Sequence, residues 1–129
     1  MNYLLDTCTL IWLVNGAQEF GPEARLACED ATARLHVSAA SAWEMALKQA
    51  RGKLVLQRPI SEWWKQAMAG HGLTELPVTA EIAIASTALP PIHTDPADRL
   101  LIATAQRHQL ALVTPDRAIA KYPDLKTLW

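Results

Sequence analysis

The chain opens on Asn2–Tyr3–Leu4–Leu5, an apolar run that stops abruptly at Asp6–Thr7. A run without polar alternation fits a strand covered on both faces. A helix follows over residues 8–14 and ends at Asn15–Gly16, and a second runs from Gly21–Pro22 to about residue 30. Residues 35–37 form a second short strand. Ser38 then caps a helix over residues 39–51, which Gly52 terminates. Pro59 starts another helix to about residue 69, with one of its adjacent tryptophans, Trp63 and Trp64, inward and the other half-exposed. Residues 73–76 are a weak third strand, and Thr79 caps a short helix over residues 80–86. Leu89–Pro90–Pro91–Ile92 is an extended loop leading into a helix over residues 96–108, with Asp95 as N-cap and Pro96 at its first position. Residues 111–113 are the clearest strand after the first, and residues 126–128 form a last edge strand.

Strands that alternate with helices imply a parallel sheet with helices on both faces, an α/β fold whose strands all end at one edge. Ligands bind outside that edge in open α/β sheets. Asp6 and Asp116 follow apolar strands directly and so stand there. Glu44 is the only charge in the stretch over residues 39–47, which predicts that it faces inward. Asp98 lies in the first turn of the helix over residues 96–108, and the topology alone does not bring it to the edge. Each acid also has a plainer reading. An Asp at a cap or in a first turn satisfies free N–H groups and the helix dipole, and most helical Glu residues face water.

If the four acids meet, their charges conflict, because like charges disfavour ionisation. A bound divalent cation removes the conflict. Carboxylate oxygens favour Mg²⁺ or Mn²⁺, whereas a zinc site takes about four Cys/His ligands. The two cysteines, Cys8 and Cys28, form no CxxC pair and read as reduced, buried side chains. The histidines, His36, His71, His93 and His108, show no pairing of the kind metal-free general acid–base catalysis needs and read as surface or capping residues.

Composition narrows the class further. The chain has 129 residues, half of them apolar and 19% charged, which fits one compact domain over residues 1–129. A net charge of −1 excludes a polycation built to coat nucleic acid. The average hides an asymmetry. Residues 48–65 carry Lys48, Arg51, Lys53, Arg58 and Lys65 against only Glu62, either an anion-binding edge or an ordinary solvated surface. No run approaches the roughly 18 apolar residues of a membrane span, so the expected location is the cytoplasm.

Four motifs in order carry a resemblance across nearly the whole chain. They are Leu5–Asp6–Thr7; Ser41–Ala42–Trp43–Glu44 with Lys48 and Gly52–Lys53–Leu54; His93–Thr94–Asp95–Pro96–Ala97–Asp98–Arg99; and Val113–Thr114–Pro115–Asp116. Together they resemble the PIN-domain proteins, specifically VapC-type toxins of type II toxin–antitoxin systems. The chain departs from the family's usual pattern at Ala97, where Phe is common. The resemblance implies a three-layer α/β/α fold, a Mg²⁺- or Mn²⁺-dependent endoribonuclease, and a metal and catalytic site of Asp6, Glu44, Asp98 and Asp116. It further implies an extra acid at Asp95, supporting polar groups at Thr7 and Ser38, a homodimer, and silencing by a small cognate antitoxin.

Metal chemistry suits an acidic pocket that must admit a phosphodiester, since the ion reverses the local charge and activates water. RNA phosphates need cations near it. Lys48 lies one helical turn beyond Glu44, Arg51 stays near that face, and Lys53 follows the helix break. Arg99 either joins this rim or pairs with Asp95. An antitoxin would insert a cation beside the carboxylates and lay an apolar helix near Trp12 or Trp63/Trp64. A receiver-like Mg²⁺-binding domain would show adjacent acids after the first strand and a Lys after a late one, and neither is present. A non-catalytic module with acids serving only as caps remains the other alternative.

Overall fold

A computed structural model describes all 129 residues. Its elements are β1 (Asn2–Leu5), α1 (Thr7–Val14), α2 (Pro22–Glu29), β2 (Arg34–Ser38), α3 (Ala39–Ala50), α4 (Ile60–His71), β3 (Thr74–Leu76), α5 (Ala80–Thr87), α6 (Pro96–His108), β4 (Ala111–Val113), a 3₁₀ turn (Ile119–Lys121) and β5 (Thr127–Leu128). The strands form one sheet in the order β3-β2-β1-β4-β5, and every pairing is parallel. In the central strand, Leu4 lies opposite His36 of β2 on one side and Leu112 of β4 on the other.

Alternation along β1 divides the core into two layers. Tyr3 and Leu5 join Leu10, Ala24, Met45, Trp63 and Trp64 from α1, α2, α3 and α4. Leu4 faces the opposite way, onto Ile102 and Ala105 of α6 and onto Ile119 and Tyr122. With helices on both faces of a parallel sheet, the architecture is the three-layer α/β/α arrangement. Helix α5 packs on α6. No helix is long and apolar enough to cross a membrane.

Several expectations need adjustment. Trp63 and Trp64 are both buried, at 9% exposure each, so the pair offers no docking surface for a partner helix. Neighbours on a helix point about 100° apart, so α4 is covered along a wide face. Trp64 satisfies its indole N–H on Glu75 Oε1 of β3 at 2.7 Å. Trp12 is taken up differently, packing its ring 5.6 Å from that of Trp129. Cys8 and Cys28 are free, as expected, but only half-buried. The last strand is shorter than expected and leaves out Lys126.

Candidate metal centre

Asp6 directly follows β1 and N-caps α1, with Oδ1 accepting from the Thr9 N–H at 2.8 Å. Its Oδ2 accepts from the hydroxyl of Thr114, which reaches across from the end of the neighbouring strand β4. The same Thr114 oxygen accepts the Asp116 N–H at 3.1 Å, so one hydroxyl ties together the acids that follow β1 and β4. Asp6 is only 4% exposed, and burial pushes its carboxyl up despite hydrogen bonds from Thr114, Thr9 and Cys8 that pull it down. The Cys8 thiol lies 3.4 Å from Asp6 Oδ1 and is pushed up to about 12 by burial and then by the Asp6 charge. It is therefore no thiolate nucleophile near neutral pH.

Glu44 arrives from the other side of the sheet's carboxyl edge. Ser38 caps α3 by accepting the Ala40 N–H at 3.0 Å, and the Thr7 hydroxyl donates to Ser41 Oγ at 2.9 Å. These bonds fix the start of α3 against α1. The Glu44 side chain, 12% exposed, projects from the second turn of α3. Its Oε2 accepts from Lys48 Nζ at 3.0 Å, while its buried Oε1 has no hydrogen-bond partner. An unpartnered buried carboxylate oxygen is costly unless something else satisfies it. The Lys48 ammonium is held above its ordinary range, chiefly by the bond to Glu44, with the Asp95 and Asp98 charges assisting.

Asp98 is brought in by the loop before α6. Asp95 caps that helix, its Oδ1 accepting the Asp98 N–H at 3.1 Å. Arg99 does not reach the pocket rim or pair with Asp95. Its guanidinium donates to the carbonyls of Ser86, Leu89, Pro90 and His93 at 2.9–3.0 Å, lacing the end of α5 and the loop after it onto α6. That lacing aims the N-terminal turn of α6, and Asp98 with it, at the edge where β1 and β4 end. Burial, followed by the charges of Asp95 and Glu44, pushes the Asp98 carboxyl up to about 7. Burial also works upward on Asp116, but the bonds from His93 and the Ala118 and Ile119 amides outweigh it and leave this carboxyl below its ordinary range.

Asp6, Glu44, Asp98 and Asp116 thus line one cleft of about 490 Å³, together with Thr7, Asp95, Lys48 and Lys53. Ser38 does not line it and acts one step back, as a cap. Arg51 lies in an adjoining hollow of about 200 Å³ with Trp43 and Lys48. Three participants were not expected from the sequence: Thr114, Ser41 and His93. His93 lies 3.1 Å from Asp98 and 3.0 Å from Asp116, and ligand atoms of the three fall within 4.8 Å of one another. Its position inside the motif that carries Asp95 and Asp98 was the available signal.

The donor set suits a hard divalent cation. It consists of carboxylate oxygens, one of them buried without a partner, with one carboxyl driven towards protonation by burial and then by neighbouring charges. The sequence model of the PIN domain matches residues 3–125. The chain belongs to the PIN-domain family. This PIN domain is 35% identical to Ribonuclease VapC22 of Mycobacterium tuberculosis, an alignment that covers 98% of this chain and 97% of that one. Its fold matches that of a chain in the crystal structure of VapBC2 from Rickettsia felis bound to a promoter DNA fragment, with a TM-score of 0.70 and 14% identity over 99% of this chain and 98% of that one. It also matches one in a toxin–antitoxin complex from Klebsiella pneumoniae, with a TM-score of 0.67 and 24% identity over 98% of this chain and 96% of that one.

Proposed function

We propose that this PIN domain, residues 1–129 acting as one unit, is a Mg²⁺- or Mn²⁺-dependent endoribonuclease and the toxin of a toxin–antitoxin pair. The observation that carries the reading is the convergence of Asp6, Glu44, Asp98 and Asp116 from four separate segments on one cleft, with Glu44 Oε1 buried and unpartnered. The relative named a ribonuclease, similar over almost its whole length, supports the reaction class.

Asp6, Glu44, Asp98 and Asp116 would hold the cation, and Asp95 adds negative charge beside them. When bound, the ion supplies the positive charge that admits a phosphodiester and the polarisation that makes water a nucleophile near neutral pH. Thr114 keeps Asp6 and Asp116 oriented, and Thr7, through Ser41, keeps α3 in place. Lys48 and Lys53, on the cleft wall, hold the flanking phosphates, with Arg51 continuing that track along α3. Lys48 donates to Glu44 Oε2 in the structure and would be the cation that turns to a bound phosphate. The partners are RNA, a second copy of the chain, and a small antitoxin that places a cation among the carboxylates.

The test is cleavage of single-stranded and hairpin RNA by purified protein in Mg²⁺ or Mn²⁺. Cleavage abolished by chelator and by Asp6→Asn is expected. Cleavage that persists through both overturns the proposal.

A further inference from the structure

We propose that His93 is a positioning residue, a clamp that donates a hydrogen bond to Asp116 and holds Asp98 in contact beside it, and that it does not serve as a metal ligand. The proposal rests on the metal reading above and assigns His93 a part in it.

The tautomer follows from the neighbours. A backbone N–H can only donate, and the Asp95 N–H lies 3.1 Å from His93 Nδ1. Nδ1 is therefore the acceptor, and in the neutral ring the single proton sits on Nε2. That nitrogen lies 3.1 Å from Asp98 Oδ2 and 3.0 Å from Asp116 Oδ2. The N–H therefore donates to Asp116, in the turn after β4, with the Asp98 carboxylate of α6 in close contact beside it.

The Asp98 carboxylate accepts no hydrogen bond, and its one ion-pair contact is His93 Nε2. Asp116 Oδ1 is already committed to the Ala118 and Ile119 amides at 2.8 and 3.4 Å. The histidine backbone is anchored on both sides. Its N–H donates to Tyr122 Oη at 2.7 Å, and its carbonyl accepts from Arg99 at 3.0 Å. Tyr122 in turn donates to the Pro90 carbonyl at 3.0 Å. The ring is consequently aimed by four bonded neighbours before any ion arrives.

The close grouping of His93, Asp98 and Asp116 would also suit a three-ligand site with histidine coordinating. That arrangement requires a bare Nε2, and so a protonated Nδ1, which would leave the Asp95 N–H facing a second N–H. The clamp keeps every donor matched to an acceptor. It corresponds to the outer-shell partners that orient ligands in metal sites, whose removal commonly weakens metal affinity tenfold or more.

The experiment uses the full chain, native and with His93→Gln or His93→Leu. Long-range ¹H–¹⁵N spectra of the metal-free native protein should place the His93 proton on Nε2, and a proton on Nδ1 alone would overturn the clamp. Calorimetric Mn²⁺ titration supplies the second readout. The Gln amide nitrogen can stand near the position of Nε2 and still donate, so His93→Gln should bind Mn²⁺ within about threefold of native, whereas His93→Leu should bind about tenfold or more weakly. If His93→Leu does not fold, His93→Ser provides the same comparison. A merely structural role would lower the melting temperature of the Leu variant and leave its Mn²⁺ affinity unchanged, which would overturn the proposal. Gln no better than Leu would make His93 a ligand and overturn the clamp alone. A native chain that binds no Mn²⁺ overturns the metal reading and the clamp with it.

Discussion

Asp98→Asn should stabilise the metal-free protein at pH 8 while destroying its activity. Below about pH 4 the Asp98 carboxyl is protonated in both folded and unfolded chains. Between its ordinary value of 3.8 and about 7, the folded chain keeps a proton that the unfolded chain has released, so stability falls as pH rises. Above that window both states are ionised and the penalty is complete. The full displacement corresponds to about 4 kcal/mol. Screening at a side chain that is 21% exposed reduces this to about 2 kcal/mol. Losing a favourable charge from the first turn of α6 takes back about 0.5 kcal/mol. The net gain of about 1–2 kcal/mol should raise the melting temperature by about 3–8 °C for a chain of this size. Thermal unfolding in chelator at pH 8 and pH 5 reads the effect. The gain should shrink to less than half at pH 5, where native Asp98 is protonated in the fold, and saturating Mn²⁺ at pH 8 should restore the native lead. A variant less stable than native at pH 8, or a gain equal at both pH values, would refute the reasoning.

Glu44→Gln and Asp116→Asn should each lower RNA cleavage by about a hundredfold or more with native circular dichroism, as a time course on labelled RNA would show. Lys48→Ala with Lys53→Ala should weaken RNA binding and flatten its salt dependence by about one to two units of log–log slope, measured by fluorescence anisotropy across salt concentrations. Arg99→Ala should leave that slope unchanged and instead destabilise the chain by about 2–4 kcal/mol in urea unfolding, because four backbone carbonyls lose their donor.

What the sequence made legible was local. Leu4 and Leu5 read as a buried strand and are fully buried, and the helix over residues 96–108 begins at Pro96 behind an Asp95 cap because both residues favour that geometry. Asp6 and Asp116 could be placed because a parallel sheet brings its strand ends to one edge. Asp98 could not, since its position depends on Arg99 gripping carbonyls as far back as Ser86, a contact that no periodicity encodes. Arg99 reads from the sequence as a rim cation or a partner of Asp95 because its actual partners are main-chain atoms, which leave no trace in side-chain pattern. His93 reads as a surface or capping residue for a related reason. A lone His carries no spacing signal, and its role appears only once α6 and the turn after β4 are side by side. Trp63 and Trp64 misled because a helix covered on a wide face buries neighbours that a simple amphipathic stripe would separate.

The most direct test of the central claim is the sequencing of RNA ends in cells shortly after expression of the native chain or of Glu44→Gln. The account predicts discrete new ends in cells making the native protein and their disappearance with the variant, which differs only at the carboxylate whose buried oxygen has no partner. The same ends in both, or no new ends in either, would contradict it.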